Sequence, residues 1–108
     1  MCQLQERVRS FHRKFGASRN TEVYLLDLVS EVGELAQEYL RSTHYGKKTS
    51  VGRRLSKEFA EELGDVLYSL LSLVEVTGYG AEALLDRALD KYRSRILARG
   101  GMGSSSRP

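Results

Sequence analysis

Cysteine is almost missing from this chain: Cys2 stands alone, so no intrachain disulfide can form, and no neighbouring residue hints at a reactive thiol. That usage suits a reducing compartment, and a cytoplasmic protein is expected. Proline is as scarce, with only Pro108, and runs of β-branched residues are few. With so little to interrupt them, long stretches of 3.6-residue apolar periodicity predict an all-α chain. No apolar run approaches the ~20 residues needed to span a bilayer. The opening MCQLQERVRS is polar and charged, unlike a secretory signal, so no membrane role is expected. Zinc-finger and helix-turn-helix patterns are absent, as is any basic tract interleaved with aromatics, and no nucleic-acid polymer is expected as a partner.

What is present fits one domain over residues 1–99, while residues 100–108, GGMGSSSRP, have the composition of a disordered tail. A chain of 108 residues, 41% of them hydrophobic, can build a modest core and would gain from association. Four helices are predicted. The first spans about 3–15, with Leu4, Val8, Phe11 and Phe15 as one apolar stripe before Gly16. A second runs from Asn20 or Thr21, either of which can cap it, to about Ser42, turning Tyr24, Leu25, Leu28, Val32, Leu35 and Tyr39 inward. The third covers about 55–77 with Phe59, Leu63, Val66, Leu67, Leu70 and Val74 on its core face, and Gly78-Tyr79-Gly80 breaks it. The fourth, about 81–97, offers Leu84, Leu85, Ala88, Leu89, Tyr92 and Ile96.

Two segments repeat each other. Glu31-Val32-Gly33-Glu34-Leu35-Ala36 and Glu62-Leu63-Gly64-Asp65-Val66-Leu67 both read acid, apolar, Gly, acid, apolar, apolar. Acids at i and i+3 share a helix face, so each helix offers a pair of carboxylates. Side-by-side packing of the two helices brings four together, a group that persists only if protons or cations neutralise it. Gly33 and Gly64 would let another helix, a metal or a ligand approach the backbone. The plainer alternative is a solvated face pairing with Lys and Arg one turn on.

Net charge is +3, from 17 Lys and Arg against 14 Asp and Glu. The acids crowd the repeats, whereas the connection 43–54, THYGKKTSVGRR, is strongly basic. Such segregation suits a polyanion held through metal at the acids and cations at the rim. Clustered carboxylates without imidazole or thiol favour Mg²⁺, with Mn²⁺ as a substitute, and carboxylate-held Mg²⁺ commonly serves chemistry on phosphate esters or anhydrides. A di-iron bundle would need Glu-x-x-His pairs, and neither His12 nor His44 follows a Glu at that spacing. Lys47, Lys48, Arg53 and Arg54 are candidates to close over phosphates, with a merely solvated turn as the alternative.

EVGELAQEYL followed by EELGDVLYSLL resembles the ExxE then ExxD signature of the MazG-like branch of the all-α nucleoside triphosphate pyrophosphohydrolases. The resemblance extends over residues 22–95 and includes the flanking apolar pattern. It implies a four-helix, MazG-like bundle that assembles into a helical homo-oligomer, a dimer or tetramer whose subunits complete one another's sites. It also implies Mg²⁺-dependent hydrolysis of a nucleoside triphosphate, often a deoxynucleotide, to the monophosphate and pyrophosphate, for nucleotide-pool cleansing or control.

Carried over by motif, Glu31, Glu34, Glu62 and Asp65 would be the metal ligands. Glu34, Glu61 and Glu62 are the catalytic candidates, Glu38 is a further acid for a second metal or for water activation, and Lys91 and Arg95 would join Lys47, Lys48 and Arg54 on the phosphates. The stretch Asp90 to Arg95 lacks the Asn that members often use for sugar contact, and Tyr68-Ser69 replaces the Tyr-His pair of phosphoribosyl-ATP pyrophosphohydrolases. A non-catalytic metal-binding or protein-interaction module with the same fold is the rival reading, and hydrolysis of a nucleotide conjugate a third.

Overall fold

The computed structural model describes residues 3–43 and 56–100. Four helices follow one another: α1 (Gln3–Phe15), α2 (Thr21–Ser42), α3 (Lys57–Thr77) and α4 (Ala81–Ala98). Among the described residues there is no strand, in keeping with the all-α expectation.

Local chemistry sets the ends. Asn20 rather than Thr21 caps α2, its side chain accepting the Val23 N–H at 2.9 Å. The helix expected from residue 55 begins at Lys57, because Ser56 takes the cap position and accepts the Phe59 N–H at 2.9 Å. Gly78 ends α3 at φ 84°, a left-handed conformation that a Cβ would strain.

Helices α2 and α3 pack extensively along each other, α1 packs on α3, and α4 has slight contact with α3. Their pairings run in opposite order. Tyr24 lies beside Tyr68 and Ser72, Glu31 beside Glu62 and Asp65, and Glu38 beside Ser56, so α2 and α3 are antiparallel.

The stripe expected on α1 needs correction. Its buried residues are Gln5, Val8 and His12, while Leu4, Phe11 and Phe15 are 46–61% exposed. Polar side chains can be buried when their hydrogen bonds are made, and these are made. Gln5 donates to Glu75 Oε1 and to the Tyr79 carbonyl, both at 2.9 Å, and its own oxygen accepts the Ala81 N–H at 2.7 Å. A side chain of α1 thus does for the first turn of α4 what Gly80 has no side chain to do. His12 Nε2 lies 3.1 Å from both Ser72 Oγ and Tyr24 Oη.

Much of the expected core is also open. Leu25, Val32, Leu63, Leu67, Leu70, Leu85 and Leu89 remain 43–58% exposed, and the buried apolar residues among those described are Val8, Tyr24 and Leu71. Periodicity identifies an apolar face but not what covers it, and one copy of these helices does not cover these faces. None of the described helices is long and apolar enough to cross a membrane.

Candidate metal centre

The repeated acids meet where the middle of α2 lies against the first half of α3. One carboxylate oxygen from each of Glu31, Glu62 and Asp65 falls within 4.8 Å of the others. Glu31 and Glu62 are half-buried and Asp65 is exposed. In both glutamates Oε1 is shut off from solvent and has no hydrogen-bond partner. Such oxygens are costly to leave unpaired, so they mark a place where something positive is wanted.

Electrostatics agree. Burial, followed by repulsion from Glu34, Asp65, Glu62 and Asp27, raises the Glu31 carboxyl above its ordinary value. Burial raises Glu62 as well, with Glu34 and Asp65 the largest repulsions after it. Glu34 therefore stands close to the group without being one of the three. The ion pairs among the described residues are Arg9–Glu75, Arg41–Glu38 and Arg93–Asp90, none on these four acids. The residues one turn on are Leu35, Glu38, Val66 and Ser69, so the alternative of pairing with Lys or Arg at i+4 has no partner to use.

Other candidates are distributed differently. Glu61 is exposed next to Glu62. Glu38 is 7% exposed and committed elsewhere, accepting from Arg41 and from Ser56 Oγ at 3.3 Å. Lys91 and Arg95 rest against the ring of Tyr92 on their own helix, at 5.3 and 5.8 Å from its centroid, and neither forms an ion pair with the acids. Lys47, Lys48, Arg53, Arg54 and His44 lie outside the described residues. At Gly33 and Gly64 an added Cβ would meet nothing within 4 Å, so the close approach expected there is not made within the chain. Gly64 instead lines a groove of about 330 Å³ between α1 and α3, with Leu4, Phe11 and Leu67 among its walls.

Sequence reading missed the polar network that aligns these helices. His12 stacks on Tyr24 with ring centroids 5.5 Å apart, Tyr24 donates to the Ala17 carbonyl at 2.7 Å, and Arg9 Nε donates to Glu75 at 2.7 Å. Gln5 and His12 fall seven residues apart around Val8, on one helix face, but nothing local distinguishes that face from a solvated one.

Residues 19–97 match the MazG nucleotide pyrophosphohydrolase domain family. Over 68 residues, 63% of this chain, the sequence is 35% identical to the uncharacterized protein YpjD of Bacillus subtilis (strain 168), and it spans 60% of that relative's length. No solved structure matches it.

Proposed function

Because the chain belongs to the MazG nucleotide pyrophosphohydrolase family, we propose that it hydrolyses a nucleoside triphosphate to the monophosphate and pyrophosphate with Mg²⁺, in cytoplasmic nucleotide-pool cleansing or control. The observation that carries this reading is the convergence of Glu31, Glu62 and Asp65, with two buried oxygens left without a partner.

The donors suit a hard divalent cation: all are carboxylate oxygens, and no protein cation neutralises them among the described residues. Glu31, Glu62 and Asp65 would hold it, with Glu34 as the fourth ligand. Mg²⁺, or Mn²⁺ in its place, supplies neutralisation of the phosphate oxygens when bound. The chain's own residues do the rest. Glu61, exposed beside Glu62, or Glu34 takes the proton of a water as its oxygen bonds to the α-phosphorus. The bond from that phosphorus to the bridging oxygen breaks, and pyrophosphate leaves. Lys47, Lys48 and Arg54, with Lys91 and Arg95, would neutralise the leaving group.

Self-association as a dimer or tetramer belongs to this reading. The half-exposed leucines of α2, α3 and α4 and the slight contact of α4 with the rest of the chain support it, since a second copy would cover them and could bring its Lys91 and Arg95 to the acids.

The test is pyrophosphate release from a panel of ribo- and deoxyribonucleoside triphosphates, with and without Mg²⁺, against Glu34→Gln. Release that needs both the metal and Glu34 is expected. Tight Mg²⁺ binding with no turnover of any nucleotide would make the chain a non-catalytic module.

A further inference from the structure

The fourth helix is held at one end. Gln5 of α1 accepts the Ala81 N–H at 2.7 Å, and beyond that start α4 has slight contact with α3. Its apolar strip is left open, with Leu85, Leu89 and Tyr92 exposed at helical spacing. Glu82 and Asp86 are exposed along one flank of this strip, and Arg93 on the same flank is already paired with Asp90.

A surface of opposite charge lies on α1. Leu4 and Phe11 are exposed and wall the groove of about 330 Å³ against α3, and Phe15 extends their strip, its ring centroid 4.9 Å from that of Phe11. Gly64 on the other wall has no side chain to stop a helix entering the groove. Arg7 and Lys14 are exposed on the flank away from Gln5 and His12, the residues that face α3. None of Arg7, Lys14, Glu82 and Asp86 enters an ion pair among the described residues.

The hands of the two flanks also match. At about 100° per residue, Arg7 and Lys14 fall roughly 70° to one side of their strip, and Glu82 and Asp86 roughly 70° to the other side of theirs. Two helices laid face to face and parallel bring flanks of opposite hand onto one side, so cations meet carboxylates. Antiparallel packing would separate them.

We propose that α4 of a second copy lies parallel to α1 in the groove between α1 and α3, its leucines on Leu4 and Phe11 and its Glu82 and Asp86 against Arg7 and Lys14. A two-fold pair makes this contact twice, each copy giving its α4 to the other. Burial of the apolar strips supplies the affinity, and the flanking charges fix which faces pair and in which direction. This pairing deepens the self-association of the proposed function, on which it rests, by naming the surfaces. Helix α1 ends before residue 19, where the family match begins, so the contact belongs to this chain rather than to the matched domain.

The experiment is sedimentation equilibrium of the full chain at micromolar concentration. It compares wild type, Arg7→Glu with Lys14→Glu, Glu82→Lys with Asp86→Lys, and an equimolar mixture of the two variants, with helical circular dichroism checked for each. Both variants should associate about tenfold or more weakly than wild type, because like charges then face each other at both contacts. The mixture should recover association close to wild type, since a mixed pair restores opposite charges at both contacts, a recovery that misfolded variants could not give. Variants that associate as tightly as wild type, or a mixture that stays as weak as its components, would overturn this pairing and leave self-association through other faces standing. A monomeric wild type would remove both.

Discussion

Ser56, the cap of α3, donates its hydroxyl to Glu38 of α2 at 3.3 Å while accepting the Phe59 N–H at 2.9 Å. One hydroxyl thus starts a helix and ties it to the last turns of its neighbour. Glu31 and Glu62 lie seven and six residues away along α2 and α3, about 10 Å in each case. The tie therefore helps set the register in which the acids meet.

Removing that hydroxyl with Ser56→Ala should cost about 1 kcal/mol, read from urea unfolding. Ser56→Asp separates the cap from the tie. Aspartate is ordinarily as good a cap as serine, but here it would push a carboxylate against Glu38, so it should not restore stability.

Stability should also fall with acid in a window set by His12. Burial holds its pKa below the ordinary 6.5, with Glu75 pulling the other way. The native state then binds fewer protons than the unfolded chain, so this contribution is whole above pH 6.5 and is lost as pH drops through the lower folded value. Glu75 acts in a separate, lower window. Its hydrogen bond from Arg9 keeps it below 4.5, and its contribution is lost beneath that value. Glu31 and Glu62, raised in the metal-free protein, oppose this trend. The difference between wild type and His12→Gln in urea midpoint, measured from pH 7.5 to 5, should isolate the histidine and narrow as pH falls. A constant difference would remove His12 as its source.

Glu31→Gln should relieve repulsion in the metal-free protein and raise its melting temperature slightly, because burial and four neighbouring acids now oppose the charge. The same change should abolish the rise in melting temperature that millimolar Mg²⁺ gives wild type. A variant still stabilised by Mg²⁺ to the wild-type extent would exclude Glu31 as a ligand.

Association should depend on α4. Leu85 and Leu89 are 58% and 46% exposed and lie four residues apart on one face. Wild type is expected to sediment above the 12.2 kDa of a single chain, and Leu85→Glu with Leu89→Glu to sediment as a monomer. Wild type sedimenting as a monomer at micromolar concentration would show that these faces are not an interface.

The helices were legible in the sequence because their signals are local: Asn20 and Ser56 as caps, Gly16 and Gly78 as stops, and apolar residues at helical spacing between them. So were the acids that could meet, since matched spacing around Gly33 and Gly64 needs only helix geometry. Which groups actually meet was decided in three dimensions. Glu31, Glu62 and Asp65 converge while Glu38 is drawn to Arg41 and Ser56, and Gln5 and His12 are buried where Leu4 and Phe11 were the obvious choice. The physical reason is that a polar side chain's burial depends on partners 60 to 76 residues away, Ser72 for His12 and Ala81 for Gln5. Periodicity records which face of a helix can be dry; hydrogen bonds across helices determine which face is.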